Sequence, residues 1–188
     1  MDLSGKAVLL VIDVQVGFED PVWGVRNNPS AEMHIGRLLS FWRHSKRPVF
    51  HVRHDSTSPT SPLRPRQRGN AFKPQVAPLG MEKVFAKTVN SAFIGTGLEA
   101  ALRAGNHKTL VIVGLTTNHC VSTTARMAGN LGFKTYVVSD ATACFARKGM
   151  DGRMRLAADV HAAALSDLQG EFATVLETGA FLEAVSTE

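Results

Sequence analysis

The sequence predicts an α/β protein built on a parallel, doubly wound sheet. Six short apolar runs alternate with segments of helical periodicity, as expected when each strand is followed by a crossover helix. One of these runs, residues 110–113, is apolar at every position, which is typical of a parallel strand covered on both faces. A length of 188 residues is enough for a substantial core, so we expect residues 1–188 to form a single domain.

The apolar runs and the helical segments have definite places along the chain. The predicted strands are residues 7–14, 48–52, 84–86, 110–113, 135–138 and 172–175. The predicted helices are residues 31–45, 97–104, 121–131 and 153–168. Thr96 and Glu99 predict a capping box at the second helix. Residues 55–81 are rich in Pro, Ser, Arg and Gly and predict a long loop, which would serve as a lid, a binding loop or an oligomer contact.

Composition argues against a nucleic-acid or membrane partner. The first apolar run ends at Asp13, too early for a signal peptide or a membrane span. The net charge is +5, but Phe72 is the lone aromatic platform in the basic stretch 63–73. We expect that stretch to be solvated, with contact to an acidic substrate as the second interpretation. Two cysteines without a disulfide pattern indicate a reducing compartment, so we expect a cytoplasmic protein.

Three reactive side chains follow apolar runs, where ligands bind in a doubly wound sheet. Asp13 closes the first run, Lys87 closes the third, and Cys120 follows the fourth. Taken singly, each residue has an ordinary structural explanation: Asp13 as a capping residue, Lys87 as a solvated side chain and Cys120 as a buried packing residue. Together they supply a base, a cation and a nucleophile. We expect the helix start and Lys87 to lower the pKa of the Cys120 thiol, and backbone N–H groups there to hold an oxyanion.

Three sequence blocks surround these residues: DVQVGF at 13–18, KTVNSAF at 87–93 and GLTTNHCV at 114–121. They resemble the signature segments of the isochorismatase-like cysteine hydrolases, a superfamily that includes nicotinamidases and N-carbamoylsarcosine amidases. The resemblance extends from residue 7 to about residue 175. It implies a three-layer αβα architecture with a six-stranded parallel sheet, an Asp13–Lys87–Cys120 triad and a cis peptide at Leu115–Thr116.

The resemblance also implies roles for residues around the triad. The backbone N–H groups of Thr116 and Cys120 would form an oxyanion hole, and Phe18 would form part of the pocket wall. His119 is expected to contact the substrate, although a solvent-facing histidine at a helix start fits equally well.

We therefore expect a cysteine-dependent hydrolase of a small amide, carbamoyl or cyclic amide substrate that acts through a thioester on Cys120. One alternative is an isochorismatase-type vinyl-ether hydrolase, which the presence of a cysteine disfavours. The other is a non-catalytic small-molecule-binding protein that kept the fold.

Metal binding is not expected. The segment HVRHD at residues 51–55 matches the region where nicotinamidases hold a metal, but it lacks their Asp-x-His spacing. His51 and His54 would face opposite sides of a strand end, one of them toward the pocket or a subunit interface. We therefore expect no metal and no cofactor. The resemblance implies a homo-oligomer.

The remaining polar and aromatic residues near the blocks are given structural roles. We expect Gln15 to bond the backbone near Asp13 and Asp140 to brace a loop at the end of the fifth strand. Cys144 is expected to be a buried filler. Packing or interface roles are expected for Trp23 and Trp42.

Overall fold

The computed structural model describes residues 6–186 and contains a sheet of six parallel strands. These strands are β1 (Val8–Ile12), β2 (Val49–His54), β3 (Lys83–Lys87), β4 (Thr109–Leu115), β5 (Lys134–Ala143) and β8 (Thr174–Leu176). Their order across the sheet is β3-β2-β1-β4-β5-β8, and every neighbouring pair is parallel. The predicted doubly wound sheet is confirmed.

Five α-helices cover the two faces of this sheet within residues 6–186. They are α1 (Ala31–His44), α2 (Leu98–Ala104), α3 (Ser122–Asn130), α4 (Ala157–Ser166) and α5 (Thr178–Ser186). Apolar side chains of α1 and α5 pack on one face, and those of α2, α3 and α4 pack on the other. The three-layer αβα architecture is therefore confirmed, with α5 as a helix that the sequence did not predict.

The central strands are apolar at consecutive positions because each face of the sheet has its own core. Along β1, Leu9 and Val11 pack toward α1, whereas Leu10 and Ile12 pack toward the opposite helices. All of them are inaccessible to solvent. Each such side chain stabilises the fold by about 1.5–3 kcal/mol relative to an exposed position.

The start of α4 and the capping of α2 differ from the sequence prediction. Helix α4 begins at Ala157 rather than at residue 153, because β7 (Met154–Arg155) pairs antiparallel with β6 (Arg147–Lys148) in a short hairpin. The predicted capping box is wrong. Thr96 Oγ1 accepts a hydrogen bond from Leu98 N at 3.2 Å, but the Glu99 carboxylate pairs with Arg103 at 2.7 Å instead of returning to the helix start.

The long segment 55–81 is irregular, as predicted, and it is fastened to the body of the protein. Asn70 is buried and donates from Nδ2 to Asp55 Oδ1 and to Leu63 O, each at 3.0 Å. Lys73, predicted to lie in a solvated stretch, is only 5% exposed and donates to Glu32 at 2.8 Å. Between residues 6 and 186, no helix is long and apolar enough to cross a membrane.

Candidate active site

The carboxyl ends of β1, β3 and β4 lie at one edge of the sheet and bring the three predicted residues together. Asp13 directly follows β1, Lys87 is the last residue of β3, and Cys120 lies in a π-helical turn (Thr117–Val121) after β4. Lys87 Nζ is 2.6 Å from Asp13 Oδ2 and 3.2 Å from Cys120 Sγ. Asp13 is fully buried, and Lys87 and Cys120 are 2% and 8% exposed.

Glycine at position 114 allows β4 to approach β1 closely just before the nucleophile turn. Its φ angle is +121°, and a Cβ atom there would collide with the carbonyl oxygen of Ile12. The peptide bond between Leu115 and Thr116 is cis. The Thr116 carbonyl then accepts hydrogen bonds from the N–H groups of His119 and Val121, which closes the turn that carries Cys120.

His54 is a fourth member of this cluster. Its Nδ1 lies 3.1 Å from Lys87 Nζ, while His51 points to the other side of β2 and contacts Glu82 Oε2 at 2.9 Å. Partial burial and the Lys87 charge lower the pKa of His54 to about 4, so the ring is neutral at pH 7 and Nδ1 acts as an acceptor. The three ammonium protons of Lys87 therefore have three acceptors, on Asp13, His54 and Cys120.

Gln15 fixes the backbone of His54. Its Nε2 donates to His54 O at 3.1 Å and to Asn70 O at 3.0 Å, and its Oε1 accepts from His54 N at 2.8 Å. Gln15 was predicted to bond the backbone near Asp13. Its partners are the backbone of His54, whose ring lies in the same cluster as Asp13, and the backbone of Asn70 on the long loop. One buried amide thus holds the strand end that presents His54 to Lys87.

Burial controls the protonation of the cluster, and it contradicts the expected low pKa of the nucleophile. Burial raises the pKa of the Cys120 thiol to about 12, and the nearby Asp13 carboxylate adds to the increase against the opposing Lys87 ammonium. Burial also raises the pKa of Asp13 to about 6, although Lys87 opposes this shift. A thiolate would give the cluster a net negative charge in a dry environment, so the resting state is a thiol beside an Asp13–Lys87 ion pair.

The donor atoms of this cluster do not fit a metal ion. Ligand atoms of Asp13, His54 and Cys120 lie within 4.8 Å of one another, as a metal would require. The Lys87 ammonium, however, contacts all three of those residues at 2.6–3.2 Å and takes the central position. A cation at that point excludes a second cation between the same ligands.

The cluster forms the base of a cavity of about 340 Å³ with an aromatic wall. The wall consists of Phe18, Trp23 and Phe145, whose ring centroids are 5.1–6.1 Å apart. Phe18 therefore lies where it was predicted. Trp23 also lines the cavity, whereas a packing or interface role was expected; Trp42 packs in the core as expected.

The polar side of the cavity contains Thr116, His119 and Arg147. His119 lines the cavity and is exposed to solvent, so its contact with a substrate stays a prediction. Its Nε2 lies 2.9 Å from Arg147 Nη1, and its Nδ1 lies 3.3 Å from Thr116 Oγ1. Partial burial and the Arg147 charge lower the pKa of His119, so it accepts from Arg147 as a neutral ring.

The basic stretch 63–73 does not supply positive charge to this cavity. Leu63 lines the cavity, but Arg64 and Arg68 line a separate surface depression. Arg147, which the sequence interpretation did not single out, is the guanidinium that reaches the cavity.

Two predicted structural roles fit the contacts observed. Asp140 Oδ1 accepts hydrogen bonds from Thr178 N and Oγ1 at 2.8 and 2.7 Å and so braces the start of α5, from within β5 rather than from its end. Cys144 is fully buried, and its Sγ lies 3.2 Å from Ala157 O.

Comparison with known proteins identifies the family. The Isochorismatase domain matches residues 7–180. The isochorismatase-family protein YrdC of Bacillus subtilis is 47% identical over 176 residues, which cover 94% of each chain. Nicotinamidase 3 of Arabidopsis thaliana is 32% identical over 155 residues, covering 76% of this chain and 75% of that one. The crystal structure of an isochorismatase-family protein from Chromobacterium violaceum matches with a TM-score of 0.95 and 46% identity, covering 99% of this chain and 96% of the other. The chain belongs to the isochorismatase family of hydrolases.

Proposed function

We propose that this protein is a cysteine-dependent amidohydrolase that cleaves a small amide through a thioester on Cys120. The observation that carries the proposal is the position of Lys87 Nζ, within hydrogen-bond distance of both Asp13 Oδ2 and Cys120 Sγ, two residues that line a cavity. Among residues 6–186, the second carboxylate oxygen of Asp13, Oδ1, is buried without a hydrogen-bond partner. A buried acceptor without a partner is suited to receive a proton.

Activation of the nucleophile begins from a thiol. At neutral pH Asp13 is ionised, because its pKa is about 6, and it takes the Cys120 proton as Sγ attacks the substrate carbonyl carbon. The negative charge then moves from the Asp13 carboxylate to the Cys120 sulfur, and both groups contact the Lys87 ammonium. The cation is already in place at both ends of the transfer, so little reorganisation is needed.

The remaining steps return every group to its starting state. Attack gives a tetrahedral oxyanion that accepts hydrogen bonds from the N–H groups of Thr116 and Cys120. Collapse breaks the C–N bond, the leaving amine takes the proton from Asp13, and a thioester remains on Cys120. Asp13 then removes a proton from water, and the resulting hydroxide attacks the thioester carbon. Collapse of this second tetrahedral intermediate breaks the C–S bond and releases the acid, and protonated Asp13 returns its proton to the Cys120 thiolate.

The presence of Cys120 favours this chemistry over vinyl-ether cleavage. A vinyl ether is cleaved after protonation at carbon and needs no nucleophile, so a thiol beside a base would have no task there. The similarity to Nicotinamidase 3 also supports cleavage of a C–N bond. A buried carboxylate beside a buried thiol is destabilising, which disfavours a protein that only binds its ligand.

A screen of small amides by ammonia release tests the proposal. We expect turnover of at least one amide and a loss of about 1,000-fold or more in Cys120→Ala. Cys144→Ala is the matched control, because it removes the other buried thiol and should keep the parent rate. Tight binding of amides without any turnover would favour the binding-protein alternative, and full activity of Cys120→Ala would exclude the thioester.

A further inference from the structure

Arg147 lies at the polar end of the cavity, where its guanidinium contacts the turn that carries the nucleophile. Its Nη1 donates to His119 Nε2 at 2.9 Å, and Asn118 Nδ2 lies 3.3 Å from the same ring nitrogen. With Nε2 accepting from both donors, the neutral ring carries its proton on Nδ1, which faces Thr116 Oγ1 at 3.3 Å. Arg147 is thereby tied to the turn that carries the nucleophile.

The positive charge of Arg147 has no carboxylate partner among residues 6–186. Its cross-strand neighbour Arg155 is paired with Asp151 at 2.8 Å, whereas Arg147 forms no salt bridge within that part of the chain. Like charges directly opposite each other on antiparallel strands are destabilising, and an anion bound at Arg147 would offset that repulsion.

Arg147 also sets the sign of the charge that a ligand meets in the cavity. The charges of Asp13 and Lys87 compensate each other at the base. His54 and His119 are neutral near pH 7 because their pKa values are lowered. The other lining groups are uncharged, so a ligand in the cavity is exposed to one uncompensated cation.

The wall beside Arg147 favours a flat ligand. Phe145 precedes Arg147 by two residues, and its ring is nearly parallel to those of Phe18 and Trp23, with interplanar angles of 17° and 28°. Stacked aromatic faces bind planar, unsaturated groups well. A volume of about 340 Å³ is near the lower limit for ligand cavities, which indicates a small molecule.

We propose that the substrate is a small, flat amide that carries a carboxylate, with the carboxylate bound by Arg147. This inference rests on the proposed amidohydrolase function and specifies its substrate class. The amide carbonyl would lie at Cys120, the planar body along the aromatic wall, and the carboxylate on the guanidinium, whose forked donors match its two oxygens. Arg147 is thus a specificity residue that touches the substrate away from the reacting atoms.

Matched substrate pairs test the proposal. The monoamides of maleic, fumaric and phthalic acid are each compared with their own diamide, in which an uncharged carboxamide of the same shape replaces the carboxylate. We expect kcat/KM for at least one monoamide to exceed that of its diamide by roughly 10- to 100-fold, the range for a hydrogen bond between charged groups. Arg147→Gln should reduce that preference to about threefold or less without abolishing turnover of the diamide.

The control variant is Lys148→Gln, which removes one positive charge from the neighbouring position of the same hairpin and lies outside the cavity lining. It should keep the preference. Equal kcat/KM for monoamides and diamides in the parent protein, or an undiminished preference in Arg147→Gln, would overturn the inference while leaving the amidohydrolase function intact.

Binding to Cys120→Ala, measured by calorimetry, separates the two proposals. We expect Cys120→Ala to bind a monoamide more tightly than its diamide, whether or not the parent protein turns over that compound. This difference in affinity should be lost in Cys120→Ala/Arg147→Gln. Absence of turnover with retained charge-selective binding would contradict the amidohydrolase proposal alone. Absence of charge-selective binding in every pair would contradict the role of Arg147.

Discussion

Lys87 Nζ lies 2.6 Å from Asp13 Oδ2, and neither side chain is accessible to solvent. Each charge compensates the other in surroundings where an isolated ion is strongly destabilising. Lys87 Nζ is also 3.2 Å from Cys120 Sγ. The buried ion pair is therefore also the pair proposed to move the proton.

Removing one member of the ion pair should cost more stability than removing both. Lys87→Met leaves an uncompensated buried carboxylate and should lower the free energy of unfolding by about 3 kcal/mol, whereas Asp13→Asn/Lys87→Met should recover much of that loss. Urea denaturation of Asp13→Asn, Lys87→Met and the double variant at about pH 8 measures the three values. A double variant as unstable as the sum of the two single variants would show that the residues do not compensate each other.

The loss of unfolding free energy in Lys87→Met should depend on pH. The pKa of Asp13 is raised on folding, so its contribution favours the folded state below about pH 4 and is lost as the pH rises through about 6. Without Lys87 the pKa rises further, so the stability deficit of Lys87→Met should be larger at about pH 8 than at about pH 5. A deficit that does not change with pH would contradict this.

Asp13→Asn should make the Cys120 thiol more acidic and yet reduce turnover. The Asp13 carboxylate raises the pKa of Cys120, so its removal should lower that pKa and speed alkylation by iodoacetamide. Turnover should still fall by about 100- to 10,000-fold, because the base is lost. The thiol is titrated by its ultraviolet absorbance in a Cys144→Ala background. Asp159→Asn, at an exposed carboxylate on α4, is the control and should change neither quantity.

The acid limb of the pH–rate profile should report Asp13. Its pKa of about 6 means that kcat/KM should fall about tenfold per unit below that pH as the base becomes protonated. A histidine would ordinarily explain a limb at this pH, but the pKa of His54 is about 4. His54→Asn should therefore leave the limb near pH 6. Movement or loss of the limb in His54→Asn would assign it to the histidine instead.

Gly114 should be far less tolerant of a methyl group than Gly36. In Gly114→Ala the new Cβ would collide with the Ile12 carbonyl at a φ of +121°, so we expect a loss of about 2 kcal/mol or more in the free energy of unfolding. Gly36 lies in α1, where a Cβ atom would meet open space within 4 Å, so Gly36→Ala should be neutral or stabilising by up to about 1 kcal/mol. Thermal denaturation of both variants, side by side, measures the difference. Similar stability of the two variants would show that β1 and β4 can separate at this point.

The six strands and the three residues at their ends were predictable because both follow from local rules. A strand covered on two faces must be apolar at consecutive positions, and parallel strands must place their carboxyl ends at one edge. The resting charge of Cys120 was not predictable in this way. Helix starts and cations lower a thiol pKa, but the degree of burial and the closeness of the Asp13 carboxylate are properties of the folded chain, and they outweigh those effects here.

Two of the cavity-lining residues were missed for a similar reason. Trp23 and Arg147 lie in a short 3₁₀ turn and a two-residue strand, where no periodicity shows which way a side chain points. The basic stretch 63–73 was the visible charge cluster in the sequence, yet the loop turns its arginines away from the cavity. The homo-oligomer and the absence of a nucleic-acid partner stay predictions.

Direct capture of the acyl group on Cys120 tests the central claim. The protein is mixed with an activated ester of the acid released from its best amide, quenched in acid within the first turnover, and mapped by peptide mass. We predict an acyl group on the peptide that contains Cys120, its persistence in Cys144→Ala and its loss in Cys120→Ala. Hydrolysis at the parent rate in Cys120→Ala, with no acyl group on Cys120 in the parent, would contradict covalent catalysis by this residue.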